Sequence, residues 1–286
     1  MGTNWSAKVY LPENISEAEV IQRLNWVFAN YIDVFSLWEP QAFISRFNAA
    51  SVGDVSQVPA LFQPVWQAAL EVKLKSSDAF NPYCFTEISE RGFNPSSCKR
   101  PQSKAYFHAN PFPQSQSVVA KIDCPPIDLN AIAKGAAVDA MGTQLRQLGC
   151  VSFLVEIGGE FFAQGLKEDG QPWWVDIETP TSADILHRVA VSGFSIATSG
   201  NTHKQNLGRR DAGLGHILFK KGCDDAFKAV TVLHPHCMYA DAWATALFAS
   251  SKSAMELANT QELAVIFQLP SGEISYSHML EKHFFG

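Results

Sequence analysis

One short stretch, ADAWATAL at residues 240–247, places a carboxylate and a hydroxyl four positions apart among residues that favour helices. On a helix, Asp241 and Thr245 share one face, with about 5 to 6 Å between their Cβ atoms. Oxygen donors at that spacing suit a hard cation such as Mg²⁺ or Ca²⁺. The structural alternative places Asp241 in the first turn, against the helix dipole, with Thr245 bonded back to the carbonyl group of Asp241.

A second candidate site is the stretch IDLNAIAKGAAVDA at residues 127–140. Asp128 stands at the N-cap position of a predicted helix, and Lys134 follows within its first two turns. Free amides and the dipole at a helix start bind phosphate, and a lysine adds a positive charge there. The alternative is a capped helix with a solvated lysine. The spacing of a Walker loop, GxxxxGK[ST], does not occur in this stretch.

Two predicted strand ends carry weaker signals of ligand binding. FLVEIGGE at residues 153–160 ends in two glycines, which permit a tight turn or the close approach of a ligand to the backbone. SIATSGNTHK at residues 195–204 ends in small hydroxyl residues and a glycine, which suit an anion. A plain strand-to-turn junction is the alternative for both stretches.

The stretch HPHC at residues 234–237 raises the alternative of a zinc site built from His234, His236 and Cys237. Zinc favours nitrogen and sulfur ligands, whereas Asp241 and Thr245 offer oxygen. No second cluster of cysteine and histidine stands nearby in the sequence. The six cysteines contain no CxxC pair, which favours scattered, mostly buried thiols.

Composition narrows the function classes. The 286 residues are 47% hydrophobic and 17% charged, which is typical of a globular protein. A net charge of -6 without a block of lysine and arginine argues against nucleic acid as a partner. No run reaches the ~18 to 20 apolar residues of a membrane helix, so no transmembrane segment is expected. Residues 1–13 lack the pattern of a secretory signal, so the chain as given is expected in the cytoplasm.

Hydrophobic periodicity predicts mixed helices and strands in an α+β fold. A loop-rich connection, with short strands near 105–108 and 118–122, is expected between residues 81 and 126. Helices are predicted at residues 16–36, 59–76, 131–149 and 254–258, and around Asp241. Strands are predicted at residues 6–11, 153–157, 173–177, 188–192, 195–198, 215–219, 229–233 and 264–269.

In their order and spacing these stretches resemble the ApbE family of FAD:protein FMN transferases over nearly the whole chain. The DLNAIAKG and ADAWATAL blocks are the most specific part of the likeness. The matching stretches are MGT at 1–3, SLW at 36–38, SRFN at 45–48, AFNP at 79–82, DLNAIAKG at 128–135 with Asp139, IGGE at 157–160, Trp174 with IETP at 177–180, ATSGN at 197–201, HI at 216–217 and residues 240–247. The resemblance implies one domain over residues 1–286, T-fold-like, with mainly antiparallel sheets and flanking helices.

The resemblance also implies a reaction. With magnesium beside the diphosphate of FAD, the FMN unit is transferred to a Thr or Ser hydroxyl of an acceptor, a flavoprotein subunit of redox or electron-transport type, and AMP is released. The implied metal ligands are the carbonyl oxygens of Ala131 and Ala244, the Asp241 carboxylate and the Thr245 hydroxyl. The implied FAD contacts are Met1, Trp38, Ala79, Phe80, Asn81, Asp128, Lys134 and Ile217. Catalytic roles are implied for Lys134 and Asp241, and His216 is the candidate general base.

Three departures from the family pattern keep a second function open. Asn81 stands where the family has an aspartate, residues 218–222 retain only the glycine of a D-P-x-T-G turn, and Thr202-His203 stands where an aromatic residue is common. The alternative is an FAD-binding protein, or a diphosphatase that splits FAD to FMN and AMP without protein transfer. Family members are usually exported and often anchored by a lipid, in contrast to the cytoplasmic expectation above.

Overall fold

The computed structural model describes residues 3–95, 110–114, 116–178, 185–200, 217–219 and 226–284. The helices are α1 (Glu17–Phe35), α2 (Phe43–Ala49), α3 (Phe62–Lys75), α4 (Phe85–Glu90), α5 (Asn130–Gln147), α6 (Cys237–Ser250), α7 (Ala254–Thr260) and α8 (His278–Phe284). The strands are β1 (Trp5–Val9), β2 (Val55–Gln57), β3 (Val118–Ala120), β4 (Phe153–Ile157), β5 (Glu160–Gln164), β6 (Trp173–Glu178), β7 (Ile185–Val191), β8 (Phe194–Gly200), β9 (Ala229–His234), β10 (Ala264–Gln268) and β11 (Ile274–Tyr276).

A seven-stranded sheet forms the centre of the fold, with the order β1-β4-β5-β8-β9-β10-β11. β2 pairs with β3, and β6 pairs with β7, in two smaller sheets. All pairings between described strands are antiparallel. The turn between β4 and β5 at residues 157–160 lies next to the end of β8 at residues 197–200, because β5 pairs with both of these strands.

The large sheet is covered on both faces. Successive side chains of a strand point to opposite faces, and here they enter two different hydrophobic clusters. Val230 and Val232 of β9 face the helices α5 and α6, which pack against β4, β5, β8 and β9. Leu233 of β9 lies instead in the cluster under the β6–β7 ribbon and α8. A strand that is buried on both faces reads as a continuous apolar run, as β9 does.

Helix α1 starts where the sequence predicts. Ser16 is its N-cap, and the Ser16 hydroxyl accepts a hydrogen bond of 3.2 Å from the amide of Glu19. Burial of Leu24, Val27 and Tyr31 on one face then holds α1 against α5. The packed aromatic rings of Phe35, Phe43, Phe47, Phe62, Trp66 and Phe112 join α1, α2 and α3 beside it.

The α+β prediction is confirmed, and the single domain over residues 1–286 stays a prediction. The expected loop over residues 81–126 is wrong in part, because α4 lies within it. Predicted strand 215–219 is also wrong where it is described, since residues 217–219 form no strand. The candidate strand at 105–108 lies outside the described residues. Elements that the prediction missed are short and weakly patterned: α2, α4, β2, β5, β11 and α8.

Among the described residues, no helix combines the length and apolarity needed to cross a bilayer.

Candidate functional site

A cavity of about 1060 Å³ lies between the helices, the seven-stranded sheet and the β6–β7 sheet. This volume lies at the upper end of the roughly 300 to 1000 Å³ that small-molecule sites span. Most of the sequence-predicted site residues line it. They are Trp38, Ala79, Phe80, Asn81, Asp128, Ala131, Lys134, Ile217, Asp241 and Thr245. Met1 and His216 lie outside the described residues, so their roles stay predictions.

The charged centre of the cavity consists of one lysine between two carboxylates. Lys134 forms ion pairs with Glu160 and, at 3.5 Å from Nζ to Oδ1, with Asp241. The Glu160 and Asp241 side chains are only 4% exposed, and that of Lys134 is 22% exposed. Burial lowers the pKa of Lys134, but Asp241 and Glu160 together outweigh it and hold the pKa above its usual value. Lys134 is therefore an ammonium ion at neutral pH.

Asp241 and Thr245 share the face of α6 that borders the cavity. The structural alternative is wrong for Asp241, because α6 begins at Cys237 and its first turn contains no acidic residue. The bond from Thr245 to the Asp241 carbonyl group stays a prediction. The Asp241 Oδ2 atom accepts the amide of Gly135 on α5 at 3.1 Å, and the Thr245 hydroxyl lies 3.1 Å from the Ser199 hydroxyl at the end of β8. Both side chains thus contact neighbouring elements across the cavity wall.

Ala131, whose carbonyl group the resemblance implies as a metal ligand, lies at a kink in the first turn of α5 and lines the cavity. Ala131 has φ -86° and ψ 15°, which is not helical. In an undisturbed helix the amide of Gly135 would point to this carbonyl oxygen, whereas here it donates to Asp241. A carbonyl oxygen has two lone pairs, so the Ala131 oxygen can accept a further ligand.

The prediction of Asp128 as the N-cap of α5 is wrong by one residue. The structure places Leu129 there, without a side-chain cap. Asp128 Oδ1 nevertheless accepts the amide of Asn130 at 2.8 Å, and Oδ2 accepts the side-chain amide of Asn94 at 2.6 Å. The carboxylate therefore still serves the start of α5, because the kinked first turn shifts the free amides by one residue.

Helices α5 and α6 approach each other so closely that only glycine fits at position 135. A Cβ atom there would lie 2.3 Å from the carbonyl oxygen of Cys237 and 2.8 Å from the Cα of Met238. Asp139, one turn later on α5, accepts the amides of Cys237 at 2.7 Å and Met238 at 3.0 Å. Asp139 thus caps α6 from the neighbouring helix α5. The N-cap residue of α6, His236, makes no side-chain capping bond.

Removing this cap is expected to loosen the helix that carries Asp241 and Thr245. Asp139→Ala should lower the free energy of unfolding by about 1 to 2 kcal/mol, because two buried amides lose their acceptor. Asp139→Asn keeps one acceptor oxygen and should cost less. Urea denaturation followed by circular dichroism measures both. Equal stability of the Ala variant and the wild type would contradict the capping role.

The flavin-contact candidates that the structure describes all line the cavity. Trp38 is 59% exposed there, while Phe80 and Ile217 are buried at the wall. The Asn81 side-chain oxygen accepts the amide of Tyr83 at 3.1 Å, so it holds the turn at residues 81–83. An aspartate would form the same turn, so the departure at Asn81 changes the charge of the wall but not this hydrogen bond.

The zinc alternative finds no support in the geometry. Cys237 is fully buried, and its thiol lies 3.6 Å from the carbonyl oxygen of Phe161. His234 Nδ1 instead bonds to the backbone of His236. Burial raises the pKa of the Cys237 thiol, which opposes the thiolate that zinc requires. In the part of the chain that the structure describes, no three His, Cys, Asp or Glu residues converge on a metal position.

Sequence reasoning assigned no role to four residues that shape this site. Glu160 follows the two glycines of the stretch at 153–160, and Ser199 lies in the stretch at 195–204. Gly135 and Asp139 lie in the stretch at 127–140. All four residues stand within the sequence motifs, but the residues that they contact lie 26 to 106 positions away in the sequence. Ala244 lies fully buried beside Thr245, and the role of its carbonyl group stays a prediction.

Comparison with known proteins finds related sequences over most of the chain. The model of the ApbE family matches residues 1–267. A Haemophilus influenzae protein named FAD:protein FMN transferase is 29% identical over 292 residues, which cover 93% of this chain and 83% of that protein. A Vibrio cholerae protein of the same name is 25% identical over 285 residues, covering 93% and 84%.

Solved structures show the same fold. The flavin transferase ApbE from Vibrio cholerae superimposes with a TM-score of 0.83 at 22% identity, covering 99% of this chain and 96% of that one. The ApbE protein from Thermotoga maritima gives 0.81 at 20% identity, covering 98% and 96%. With the family model matched over most of its length, the chain belongs to the ApbE family.

Proposed function

We propose that this protein transfers the FMN unit of FAD to a Thr or Ser hydroxyl of an acceptor protein, with magnesium as cofactor and AMP as the released product. One observation carries the proposal: oxygen donors of α5 and α6 lie beside the Lys134 ammonium on one wall of a large cavity. The names of the curated relatives support it. The acceptor is a flavoprotein subunit of redox or electron-transport type.

The residues present fit a magnesium ion. The Asp241 carboxylate, the Thr245 hydroxyl and the Ala131 carbonyl supply oxygen only, which is the ligand type that magnesium prefers. The kink at Ala131 and the position of both side chains on one face of α6 are independent features that favour such a site. Ala244 would add its carbonyl oxygen. A magnesium ion held by these residues would offset the negative charge of the FAD diphosphate.

The chain's own groups account for the rest of the chemistry. The Lys134 ammonium binds a diphosphate oxygen, and the amides at the start of α5 offer further donors. The acceptor hydroxyl oxygen forms a bond to the FMN phosphorus while the P–O bond to AMP breaks. The hydroxyl proton leaves to a base, for which His216 is the candidate. Trp38 stacks on an aromatic ring of FAD at the cavity mouth.

Mass spectrometry of an acceptor peptide tests the proposal. A peptide with one Thr among small residues is incubated with the protein, FAD and MgCl₂, and a Thr→Val peptide is the control. A mass gain of one FMN unit on the first peptide alone is expected. FMN and AMP released across a panel of unmodified Thr and Ser peptides would instead establish the diphosphatase alternative, which the altered charge at Asn81 favours.

Trp38→Ala is expected to weaken FAD binding about tenfold, because one stacked ring contributes roughly 1 to 3 kcal/mol. Trp26→Ala is the matched control, since Trp26 is 58% exposed on α1 and lines no part of the cavity. Titration of FAD followed by fluorescence anisotropy measures both affinities. Equal loss in the two variants would contradict a specific contact at Trp38.

A further inference from the structure

The position of Lys134 has a consequence for how the metal site works. Its ammonium group lies between Glu160 and Asp241, in the wall that the proposed function assigns to magnesium. The Asp241 Oδ1 atom faces Lys134, and the Oδ2 atom accepts the amide of Gly135. Both carboxylate oxygens are therefore already engaged by donors from α5.

Charge balance explains why a lysine is held there. Two nearly buried carboxylates repel each other, and isolated buried charges are costly unless they are paired. Among the described residues, Cys237 of α6 also lies near this cluster, and burial raises the pKa of its thiol, which favours the neutral form. One ammonium thus leaves the Lys134, Glu160 and Asp241 cluster at a formal charge of about -1. A divalent cation would bring the same cluster to about +1 if Lys134 kept its position.

Because both are positively charged, magnesium and the Lys134 ammonium compete for Asp241. Magnesium binds oxygen at about 2.0 to 2.1 Å, and an ammonium beside the same oxygen atom would repel it strongly at low dielectric. Glu160 offers the lysine a second partner that is closer than Asp241. Lys134 can therefore give up Asp241 without losing its ion pair.

We propose that Lys134 is the built-in counter-cation of Asp241, and that magnesium binds by displacing it from Asp241 while Lys134 stays paired with Glu160. This inference rests on the proposed metal site. The diphosphate of FAD supplies a new anionic partner for the displaced ammonium. Magnesium and FAD should therefore bind cooperatively, with each raising the affinity of the other.

Isothermal titration with MgCl₂ alone, without FAD or acceptor, tests the displacement. Lys134→Met keeps the length of the side chain and removes its charge, so it should bind Mg²⁺ roughly tenfold or more tightly than the wild type. The double variant with Asp241→Asn should bind no Mg²⁺. Addition of FAD should raise the Mg²⁺ affinity of the wild type by a larger factor than that of Lys134→Met.

The outcomes separate this inference from the proposed function. Equal or weaker Mg²⁺ binding by Lys134→Met, still abolished by Asp241→Asn, overturns the displacement and leaves the metal site standing. Mg²⁺ binding by no variant, with or without FAD, overturns both.

A measurement on the wild type decides the matter if Lys134→Met does not fold. Displacement from Asp241 leaves Lys134 with one ion-pair partner instead of two, so Mg²⁺ should speed the acylation of Lys134 by an amine-reactive ester, read by peptide mass spectrometry. Lys75, which pairs with Glu71 on the surface of α3, is the internal control. An unchanged rate at Lys134 under saturating Mg²⁺ overturns the proposal.

Discussion

Asp241→Asn is expected to lower flavin transfer by roughly 1000-fold or more, while the protein stays folded. The substitution removes the carboxylate charge that the proposed cation needs. Metal ions contribute several kcal/mol of transition-state stabilisation, and each loss of about 1.36 kcal/mol lowers the rate tenfold. The fold should survive because the Asn side-chain oxygen can still accept the amide of Gly135, and Lys134 keeps Glu160. Single-turnover transfer to the acceptor peptide measures the rate.

Asp169→Asn is the matched control for this experiment. Asp169 is exposed in the turn between β5 and β6, where its Oδ1 accepts the amide of Gln171 at 3.0 Å. An asparagine keeps that bond, so the transfer rate should not change. A normal rate in Asp241→Asn, with the protein shown to be folded by circular dichroism, would rule out the assigned role of Asp241.

Gly135→Ala is expected to be the most damaging small substitution in the chain's site. Its Cβ would lie within 2.3 to 2.8 Å of backbone atoms of Cys237 and Met238, and backbone cannot move aside as a side chain can. The helices α5 and α6 must separate, at a cost of about 3 kcal/mol or more to the free energy of unfolding. Flavin transfer should fall as well, because Asp241 and Thr245 move with α6.

Gly142→Ala, the same change in the same helix, controls for helix propensity. Its Cβ would meet ring atoms of Phe162 at 2.8 Å, and an aromatic side chain can shift. Alanine also raises helix propensity by roughly 1 kcal/mol, which offsets part of the crowding. Urea denaturation should therefore separate the two variants clearly. Similar midpoints for Gly135→Ala and Gly142→Ala would refute the close backbone approach as the cause.

The fold class and most long elements follow from local pattern. The capping serine and the 3.6-residue period define α1, and mainly apolar runs define β4, β9 and β10, because each depends on neighbours in sequence. Short elements such as α4 and β5 contain too few repeats of the hydrophobic pattern to be recognised from the sequence. Their existence depends on packing partners that are distant in the chain.

For the site, the sequence by itself determined which residue types are available to bind a ligand. These are the Asp241 and Thr245 pair on one helical face, and Lys134 close to a helix start. Only the tertiary structure decided their partners. The cap from Asp139 joins α5 to α6, and the pairing of Lys134 with Glu160 joins α5 to β5, although these partners are distant in sequence. The kink at Ala131 lies within α5, close to the Gly135 amide that donates to Asp241 on α6. The physical reason is that periodicity reports which face of an element is buried, whereas hydrogen bonds and ion pairs between elements depend on how closely two helices can approach.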